Sequence, residues 1–243
     1  MEMKSVKFLL AICLTVCIAA ACSKVGKDVP PQTDVPIPEA VDLGLSVKWA
    51  SFNLGANKPE ELGGYYQWGG IQDVSSTGIY LEDNENCPYH KGMDSDTGWT
   101  KYIPSDQASY WTGSGAPDNK TSLDPEDDVA HVKLGGKWRM STKTDFEELI
   151  NNCTWTWTQL NGVNGYKVQS KKPGYTDKYI FLPAAGYRIE DMRYDVGSFG
   201  GYWSLSLYTG IPCNACVLLF DSDDVNTDYY GRCYGLPVRP VSE

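Results

Sequence analysis

Three cysteines near the end of the chain are its best candidates for thiol chemistry. Cys213 and Cys216 lie in "PCNAC", and Cys233 follows in "GRCYG". A redox dithiol or half of a zinc site needs both sulfurs on one side of the backbone. In a strand that runs back from residue 221 through Cys213, residues three apart point to opposite faces. The pair then neither chelates a metal nor closes a disulfide without a turn.

The residues around these cysteines also disfavour a metal or redox site. The sequence contains no second pair of this kind, and its two histidines lie elsewhere. If the last hairpin turns about Asp224 and Val225, Cys216 and Cys233 are opposite each other and Cys213 points away. We therefore predict no metal, no cofactor and no catalytic residue, and a fold that needs none of the three cysteines.

The N-terminal region predicts export and a lipid anchor. Lys4 and Lys7 precede an apolar run over 8–18 and then small residues, which is the pattern of a secretory signal. The run is too short to span a bilayer. The letters "AAAC" resemble a bacterial lipobox, which places the signal peptide at 1–21 and the lipid on Cys22; an ordinary cleaved signal is the alternative. The proline-rich stretch 22–40 predicts an extended tether, and 41–243 remains for the domain.

Charge and cysteine count restrict the possible partners and scaffolds. The formal net charge is -10 and the pI is near 4.7, so a basic surface for nucleic acid has no electrostatic support.

Of the eight cysteines, two lie in the signal and one is the lipid site, which leaves five. An odd number cannot all pair, so the sequence does not predict a disulfide scaffold.

Two helices are predicted in the middle of the domain. In "LDPEDDVAHVKL", Asp124 can cap a first turn and Pro125 fits the first helical position. A calcium loop is the alternative, but these carboxylates lack its spacing. In "STKTDFEELINN", Thr142 and Asp145 form a capping-box variant. The residues 134–138 are expected to join the two helices.

Strands and one long loop are predicted for the rest of the domain. The segment "VDLGLSVKWASFNLGA" indicates a strand, and 71–123 indicates loop packed by Trp99, Tyr102, Tyr110 and Trp111. The segments "CTWTWTQL" and "YKVQSK" flank the turn "NGVNG" and predict a hairpin. The helices are expected to pack on a sheet that contains Trp155, Trp157, Phe181 and Trp203.

Six segments in a fixed order carry a family resemblance. They are "VDLGLSVKWA", "DVAHVKLGGKWRMST", "NCTWTWTQLNGVNGYKV", "IFLPAAGYR", "GYWSLSLYT" and "YGLPVRPV". Over 41–243 the chain resembles the Fibrobacter major paralogous domain family of Bacteroidetes lipoproteins, which is similar to C-type lectin-like domains. Ser141 and Leu205 depart from residues common in that family. The resemblance implies an α+β fold in which two short helices pack on small mixed or antiparallel sheets with long loops. It implies no activity.

The C-terminal segment has an unusual composition. Between Ser204 and Ser242 there is no Lys, Glu, Gln, Met or Trp, the residue types whose codons all end in a purine. Asparagine codons randomised at their adenines would produce this bias. Such randomisation marks diversity-generating retroelements, whose targets resemble this chain: they are often lipoproteins with a variable patch before a constant C-terminus. Cys213, Cys216 and Cys233 would then be chance products of this randomisation and not a designed site. The alternative is that strand hairpins disfavour Lys, Glu and Gln by propensity.

Under either explanation this segment has the composition of a binding face. Tyrosine gives large amphipathic contact area at low entropy cost. The predicted ligand-binding residues are Tyr208, Ile211, Cys213, Asn214, Cys216, Leu218, Asp228, Tyr229, Tyr230, Cys233 and Tyr234. The predicted scaffold residues are Trp138, Arg139, Trp203, Val217, Leu219, Phe220, Val238 and Arg239.

These features together predict a non-enzymatic, lipid-anchored binding protein. We expect it on the outer membrane, exposed at the cell surface, where it engages an extracellular protein or glycan. The sequence lacks the Glu-Pro-Asn and Gln-Pro-Asp signatures of calcium-dependent lectins. A structural envelope lipoprotein is one alternative. A formylglycine-generating-enzyme-like oxidoreductase is another, but no general base accompanies the thiols.

Overall fold

A computed structural model describes residues 35–76, 87–91 and 97–243 of the protein. The predictions for the signal peptide 1–21 and for Cys22 lie outside the described residues. Of the predicted tether, 35–40 are described: Val35 packs against the core and Pro38 is buried. The packed domain therefore reaches back at least to Val35.

The alternation of threonine with larger residues produces the hairpin that the sequence predicts. Strands β4 (Cys153–Leu160) and β5 (Val163–Ser170) pair antiparallel in continuous register. The two residues between them, Asn161 and Gly162, have φ of 51° and 85°. Both are residue types that tolerate positive φ, as a type I′ turn requires. Strand β6 (Tyr179–Pro183) extends this sheet on the other side of β5.

Two helices connect through a short strand. The capping box predicted for Thr142 and Asp145 is present at the start of α2 (Lys143–Asn152). Helix α1 (Val129–Leu134) begins later than predicted, because Asp128 rather than Asp124 is its N-cap. The buried Asp128 carboxylate accepts from the backbone N–H groups of Ala130, His131 and Met140, which ties the helix to β3 (Trp138–Met140). The residues 134–138 therefore lead into a strand, and not directly into α2.

The C-terminal half of the chain forms a second three-stranded antiparallel sheet. Its order is β11 (Val225–Gly231), β10 (Asn214–Phe220) and β9 (Gly200–Leu207), with β11 at the edge. Gly200 is required where β9 passes Phe220, because an added Cβ would meet the phenylalanine ring. Trp203 belongs to this sheet, whereas Trp155, Trp157 and Phe181 lie in the β4–β5–β6 sheet. The single sheet predicted for these four residues is thus two sheets.

The two ends of the domain meet in a small sheet of four strands. Its order is β1 (Ala40–Val41), β2 (Lys48–Ala50), β12 (Pro240–Ser242) and β3. The predicted N-terminal strand is therefore two short strands that pair antiparallel. A further hairpin joins β7 (Tyr187–Ile189) and β8 (Met192–Tyr194).

The apolar core lies on both faces of the C-terminal sheet. Adjacent residues of a strand point to opposite faces, and Tyr202 and Trp203, both fully buried, belong to different hydrophobic clusters. Trp203 Nε1 also donates to the Tyr66 carbonyl at 2.7 Å. Its predicted place in the scaffold is confirmed.

A buried arginine links three separate segments beneath this core. Arg239 donates to Asn53 Oδ1 and to the carbonyls of Ala50 and Phe181 at 2.7–3.0 Å. Burial lowers its pKa to about 10. Full burial and three accepting groups from separate parts of the chain make Arg239 a scaffold residue, as predicted.

The long loop is fixed to the C-terminal sheet by a disulfide. In its described part, the regular element is a 3-10 helix, Ser105–Tyr110. Trp99 and Tyr102 are buried, as the sequence predicts. Cys87 is bonded to Cys233 across 146 residues of sequence. The described residues thus form an α+β fold with two helices and several small antiparallel sheets.

Candidate binding surface

The edge strand β11 carries the predicted ligand-binding tyrosines on two different faces. Tyr229 and Tyr230 are adjacent, so their side chains point to opposite sides of the sheet. Each meets other tyrosines there. The predicted binding face is consequently two surfaces, which have different neighbours.

The larger surface is a group of four half-buried tyrosines, here called the tyrosine cluster: Tyr187, Tyr194, Tyr230 and Tyr234. Tyr187 is its centre. The Tyr187 ring stacks on Tyr194 with centroids 5.5 Å apart and planes inclined by 15°. The Tyr187 centroid also lies 5.7 Å from that of Tyr230 and 5.9 Å from that of Tyr234. Tyr230 and Tyr234 pack edge to face at 4.8 Å.

The β7–β8 hairpin brings two of these tyrosines to the C-terminal segment. Tyr187 and Tyr194 are paired across the hairpin. Arg188 exchanges both backbone hydrogen bonds with Gly235, at 2.7 and 2.9 Å, which holds the hairpin beside Tyr234. Gly186, with φ of 63°, precedes the hairpin, and an added Cβ would meet the Tyr194 carbonyl oxygen. Only glycine allows this close approach.

A carboxylate lies beside the cluster and affects its ionisation. Burial first, and then the neighbouring tyrosines and Asp195, raise the pKa of Tyr230 to about 12. Burial, followed by Asp195, also raises the pKa of Tyr187. The Tyr187 and Tyr230 hydroxyls therefore stay protonated at neutral pH.

The rim of the cluster exposes apolar side chains. Met192 is 53% exposed and Val196 is 47% exposed, and both flank Tyr194 in sequence. The Tyr194 hydroxyl donates to the Met192 sulfur at 3.9 Å. Apolar side chains around half-exposed aromatic rings are typical of binding surfaces.

The smaller surface is a stacked pair, here called the outer tyrosine pair: Tyr208 and Tyr229. Their ring centroids are 4.1 Å apart and their planes are inclined by 13°. Ile211, a predicted site residue, is 37% exposed nearby in sequence. Asn214 is half-buried opposite Gly231. These four predicted residues lie at or near the surface, and the outer tyrosine pair is on the opposite face of β11 from Tyr230.

Three predicted ligand-binding residues are buried instead. Leu218 is fully buried in the core, and Cys216 is 5% exposed with its thiol donating to the Leu207 carbonyl at 3.5 Å. Burial raises the pKa of Cys216. Cys233 is 6% exposed and disulfide-bonded. Buried side chains offer almost no surface to a ligand, so these three positions lie outside the candidate binding surface.

The predicted proximity of Cys216 and Cys233 is wrong. The hairpin turns earlier than expected: Asp221 Oδ1 accepts from the backbone N–H groups of Asp223 and Asp224, and Phe220 pairs with Val225. Cys216 is therefore opposite Tyr229. Side-chain hydrogen bonding within an acidic turn set the register here.

Cys213 is also placed differently from the prediction. It does not point away from Cys233 but packs against the small apolar cluster around the disulfide, which contains Trp99 and Ile103. Beside it, the buried Arg232 lies 4.0 Å from the Trp99 ring centroid and donates to the Pro212 carbonyl. Burial lowers the pKa of Arg232 to about 9. Cys213 thus lies between the disulfide cluster and the buried Arg232, which indicates a structural role for this part of the chain.

Tyr187 and Tyr194 are not among the binding residues that the sequence predicts. A two-residue turn at Glu190 and Asp191 pairs Ile189 with Met192, so tyrosines spaced equally on either side must face each other. That spacing was visible in "YRIEDMRY". Their contact with Tyr230 and Tyr234 depends on long-range packing, which no local pattern indicates.

Within 35–76, 87–91 and 97–243, no group of three or more His, Cys, Asp or Glu side chains is arranged to hold a metal ion. Over the same residues, the helices are too short or too polar to cross a membrane.

Comparison of the chain with protein-family models, with curated proteins and with solved structures found no match.

Proposed function

We propose that this protein is a non-enzymatic binding protein of the cell envelope that engages an extracellular protein or glycan through the tyrosine cluster. The observation that carries the proposal is the cluster itself: four half-buried tyrosines with exposed apolar neighbours, where the β7–β8 hairpin meets the C-terminal segment. Rigid aromatic rings with a polar tip give much contact area at a small entropic cost. Tyr230 and Tyr234 were predicted from composition alone, and Tyr187 and Tyr194 extend the same surface.

The fold proposed for this domain is C-type lectin-like. Its support is the resemblance of six segments to the Fibrobacter major paralogous domain family, together with two helices, small antiparallel sheets and a long loop-rich region in the described residues. Loops and sheet edges on a rigid scaffold are common places for binding residues.

The proposed location is the outer membrane, with a lipid on Cys22. The lipobox-like "AAAC" supports it. A second support is the disulfide between Cys87 and Cys233, because disulfides persist in exported proteins and are rare in the reducing cytosol. Labelling cells with a fatty-acid analogue tests this point: the label should be lost in Cys22→Ala, and a label that persists would contradict the anchor.

A non-enzymatic role is supported by the state of the late cysteines. Cys216 is buried with a raised pKa, and Cys233 is bonded to Cys87. A formylglycine-generating-enzyme-like mechanism needs a reactive thiol, which requires a lowered pKa and access to substrate.

The hypothesis of sequence diversification fits part of the segment. Tyr208, Ile211 and Asp228 are exposed or half-exposed and could vary without loss of the fold, whereas Leu218 and Cys233 could not. The neighbouring DNA tests it. A reverse transcriptase beside an adenine-rich, imperfect copy of the segment is the expected finding, and its absence would leave strand propensity as the explanation.

Binding arrays test the proposed function. The full chain, extracted in detergent, would be applied to arrays of glycans and extracellular proteins beside Tyr187→Leu and Tyr179→Leu. Tyr179 is an exposed tyrosine outside the cluster and serves as the matched control. We expect a ligand retained by the wild type and by Tyr179→Leu but lost by Tyr187→Leu. Equal binding by all three chains would contradict the proposal, and no binding at all would favour a structural envelope lipoprotein.

A further inference from the structure

The protein covers many of its other tyrosine rings with its own cations. A Lys Nζ or Arg Cζ atom lies 4.6–5.8 Å from each of five tyrosine ring centroids outside the cluster. The pairs are Lys101 with Tyr89 and Tyr102, Lys133 with Tyr66, Lys167 with Tyr179, and Arg193 with Tyr65. A cation over the face of an aromatic ring is attracted by the negative potential of that face.

The tyrosine cluster differs from these rings. Among the residues that the structure describes, no Lys or Arg lies over Tyr187, Tyr194, Tyr230 or Tyr234. The internal segments 77–86 and 92–96 contain no Lys or Arg in their sequence. Arg193 belongs to the same hairpin but is adjacent to Tyr194 in the strand, so it points to the opposite face, towards Tyr65.

Two carboxylates lie on the same side as the cluster. Asp195 lies close enough to raise the pKa of both Tyr187 and Tyr230. Asp228 is exposed and shares a face of β11 with Tyr230, two residues away. The whole chain has a formal net charge of -10. Anionic ligands are repelled from such a surface, and cationic ligands are attracted and steered to it.

We propose that the tyrosine cluster binds a Lys or Arg side chain exposed on a partner protein. The cation would lie against the exposed parts of these half-buried rings, with Asp195 and Asp228 as counter-charges, and its aliphatic stem would pack on Met192 and Val196. The inference rests on the proposed function, since it names the chemistry of the ligand at the same surface. A neutral glycan would use the ring faces but not the carboxylates, which is why the charges favour a basic protein segment.

Matched peptides test this directly. The probes are a fluorescent peptide with repeated Gly-Ser-Arg units and the same peptide with citrulline, which keeps the shape of arginine and removes its charge. A neutral glucan oligosaccharide is the third probe. The full chain, in detergent, would be titrated with each probe by fluorescence polarisation at low and high salt. We expect the arginine peptide to bind about tenfold more tightly than the citrulline peptide.

Four variants identify the groups that are responsible. Tyr187→Leu should weaken arginine-peptide binding about tenfold, whereas Tyr230→Phe, which keeps the ring, should change it less than about twofold. Asp195→Asn should weaken binding and reduce its salt dependence, and asparagine tolerates the φ of 56° at this position. Tyr229→Leu, in the outer tyrosine pair, is the control and should bind as the wild type does.

The outcomes separate this inference from the proposed function. Equal binding of the arginine and citrulline peptides overturns it. Unchanged binding in Tyr187→Leu also overturns it, because that variant keeps every charge and would reveal mere attraction to an acidic protein. If the wild type binds the neutral oligosaccharide and Tyr187→Leu does not, the inference of a cationic ligand is wrong, but the proposed binding function stands. If Tyr187→Leu changes no probe and no array ligand, both are wrong.

Discussion

Two groups of tyrosines in this molecule each lie beside an aspartate, but only one group is also paired with a cation of the chain. In the long loop, Tyr89 and Tyr102 both donate to the Asp127 carboxylate, and Lys101 donates to the same carboxylate at 2.5 Å. This set is here called the loop network. In the tyrosine cluster, the rings contact one another and Asp195 lies nearby, but the described residues supply no cation over the rings. The first group is paired with a cation of the chain itself, whereas the second is half-exposed and, among the described residues, has no Lys or Arg over its rings.

The difference shows how the same residue types serve structure or binding. Burial alone would lower the pKa of Lys101, but its hydrogen bonds to Asp124 and Asp127 outweigh burial and raise it. Tyr89 and Tyr102 hold φ near 61° and 63°, which costs conformational energy that the network must offset. A set that satisfies its own charges in this way stabilises a loop. A set with uncovered rings and an adjacent carboxylate is suited to a cationic partner.

The largest expected effect is the loss of Asp127. Asp127→Ala leaves the Lys101 charge and two tyrosine hydroxyls without their shared partner, so we expect the free energy of unfolding to fall by about 3–5 kcal/mol. Asp228→Ala, at an exposed carboxylate, is the control and should change it by less than about 0.5 kcal/mol. Urea unfolding measures both. A small effect in Asp127→Ala would show that the loop network is not structural.

The disulfide should have the next largest effect. Replacing Cys87 and Cys233 together by Ala releases the loop from the C-terminal segment, and we expect a loss of about 2–5 kcal/mol. Thermal unfolding of the oxidised wild type and of the double variant measures it. An unchanged melting temperature would mean that the loop is held without the disulfide. Cys213→Ala, beside the disulfide, is the single-site comparison.

A smaller loss is expected within the tyrosine cluster. Tyr194→Leu removes one stacked partner of Tyr187 and should cost about 1 kcal/mol. The affinity for the peptide should fall by more than the free energy of unfolding does, because the cluster contributes contact area for the ligand rather than core packing. Chemical unfolding and peptide titration of the same variant separate the two effects. A loss of stability comparable to that of Asp127→Ala would make the cluster part of the scaffold.

The smallest effect concerns alkaline pH. The pKa of Tyr230 is about 12 in the folded chain against an ordinary value of 10.0, because burial disfavours its ionised form. The folded chain therefore holds more protons than the unfolded chain between these values, and the free energy of unfolding falls as pH rises through this window. Tyr230→Phe should make the fall shallower. An identical pH dependence in both chains would contradict the assigned environment of Tyr230.

Local patterns in the sequence predicted local structure well. The capping box at Thr142 and Asp145 and the β4–β5 hairpin depend on residues close in sequence, and both are present. The start of α1 was misplaced, because Asp124 and Asp128 are equally good caps by type. Contacts with Met140 in the folded chain select Asp128.

Long-range pairing explains most of what the sequence did not predict. The partner of Cys233 lies 146 residues away, in a segment with no regular pattern. The composition of the C-terminal segment indicated tyrosines for binding, but Tyr229 and Tyr230 could be assigned to separate faces only once the register of β11 was known. Tyr187 joined the surface because the backbone of Arg188 pairs with Gly235.

The central claim is that the tyrosine cluster, and not the outer tyrosine pair, contacts the ligand. The chain has 16 tyrosines, and carbon-13 labels on their rings would report each one separately by NMR during titration with the arginine peptide. We expect the signals of Tyr187, Tyr194, Tyr230 and Tyr234 to shift with the arginine peptide and to stay unchanged with the citrulline peptide. Shifts confined to Tyr208 and Tyr229, or equal shifts with both peptides, would contradict the account.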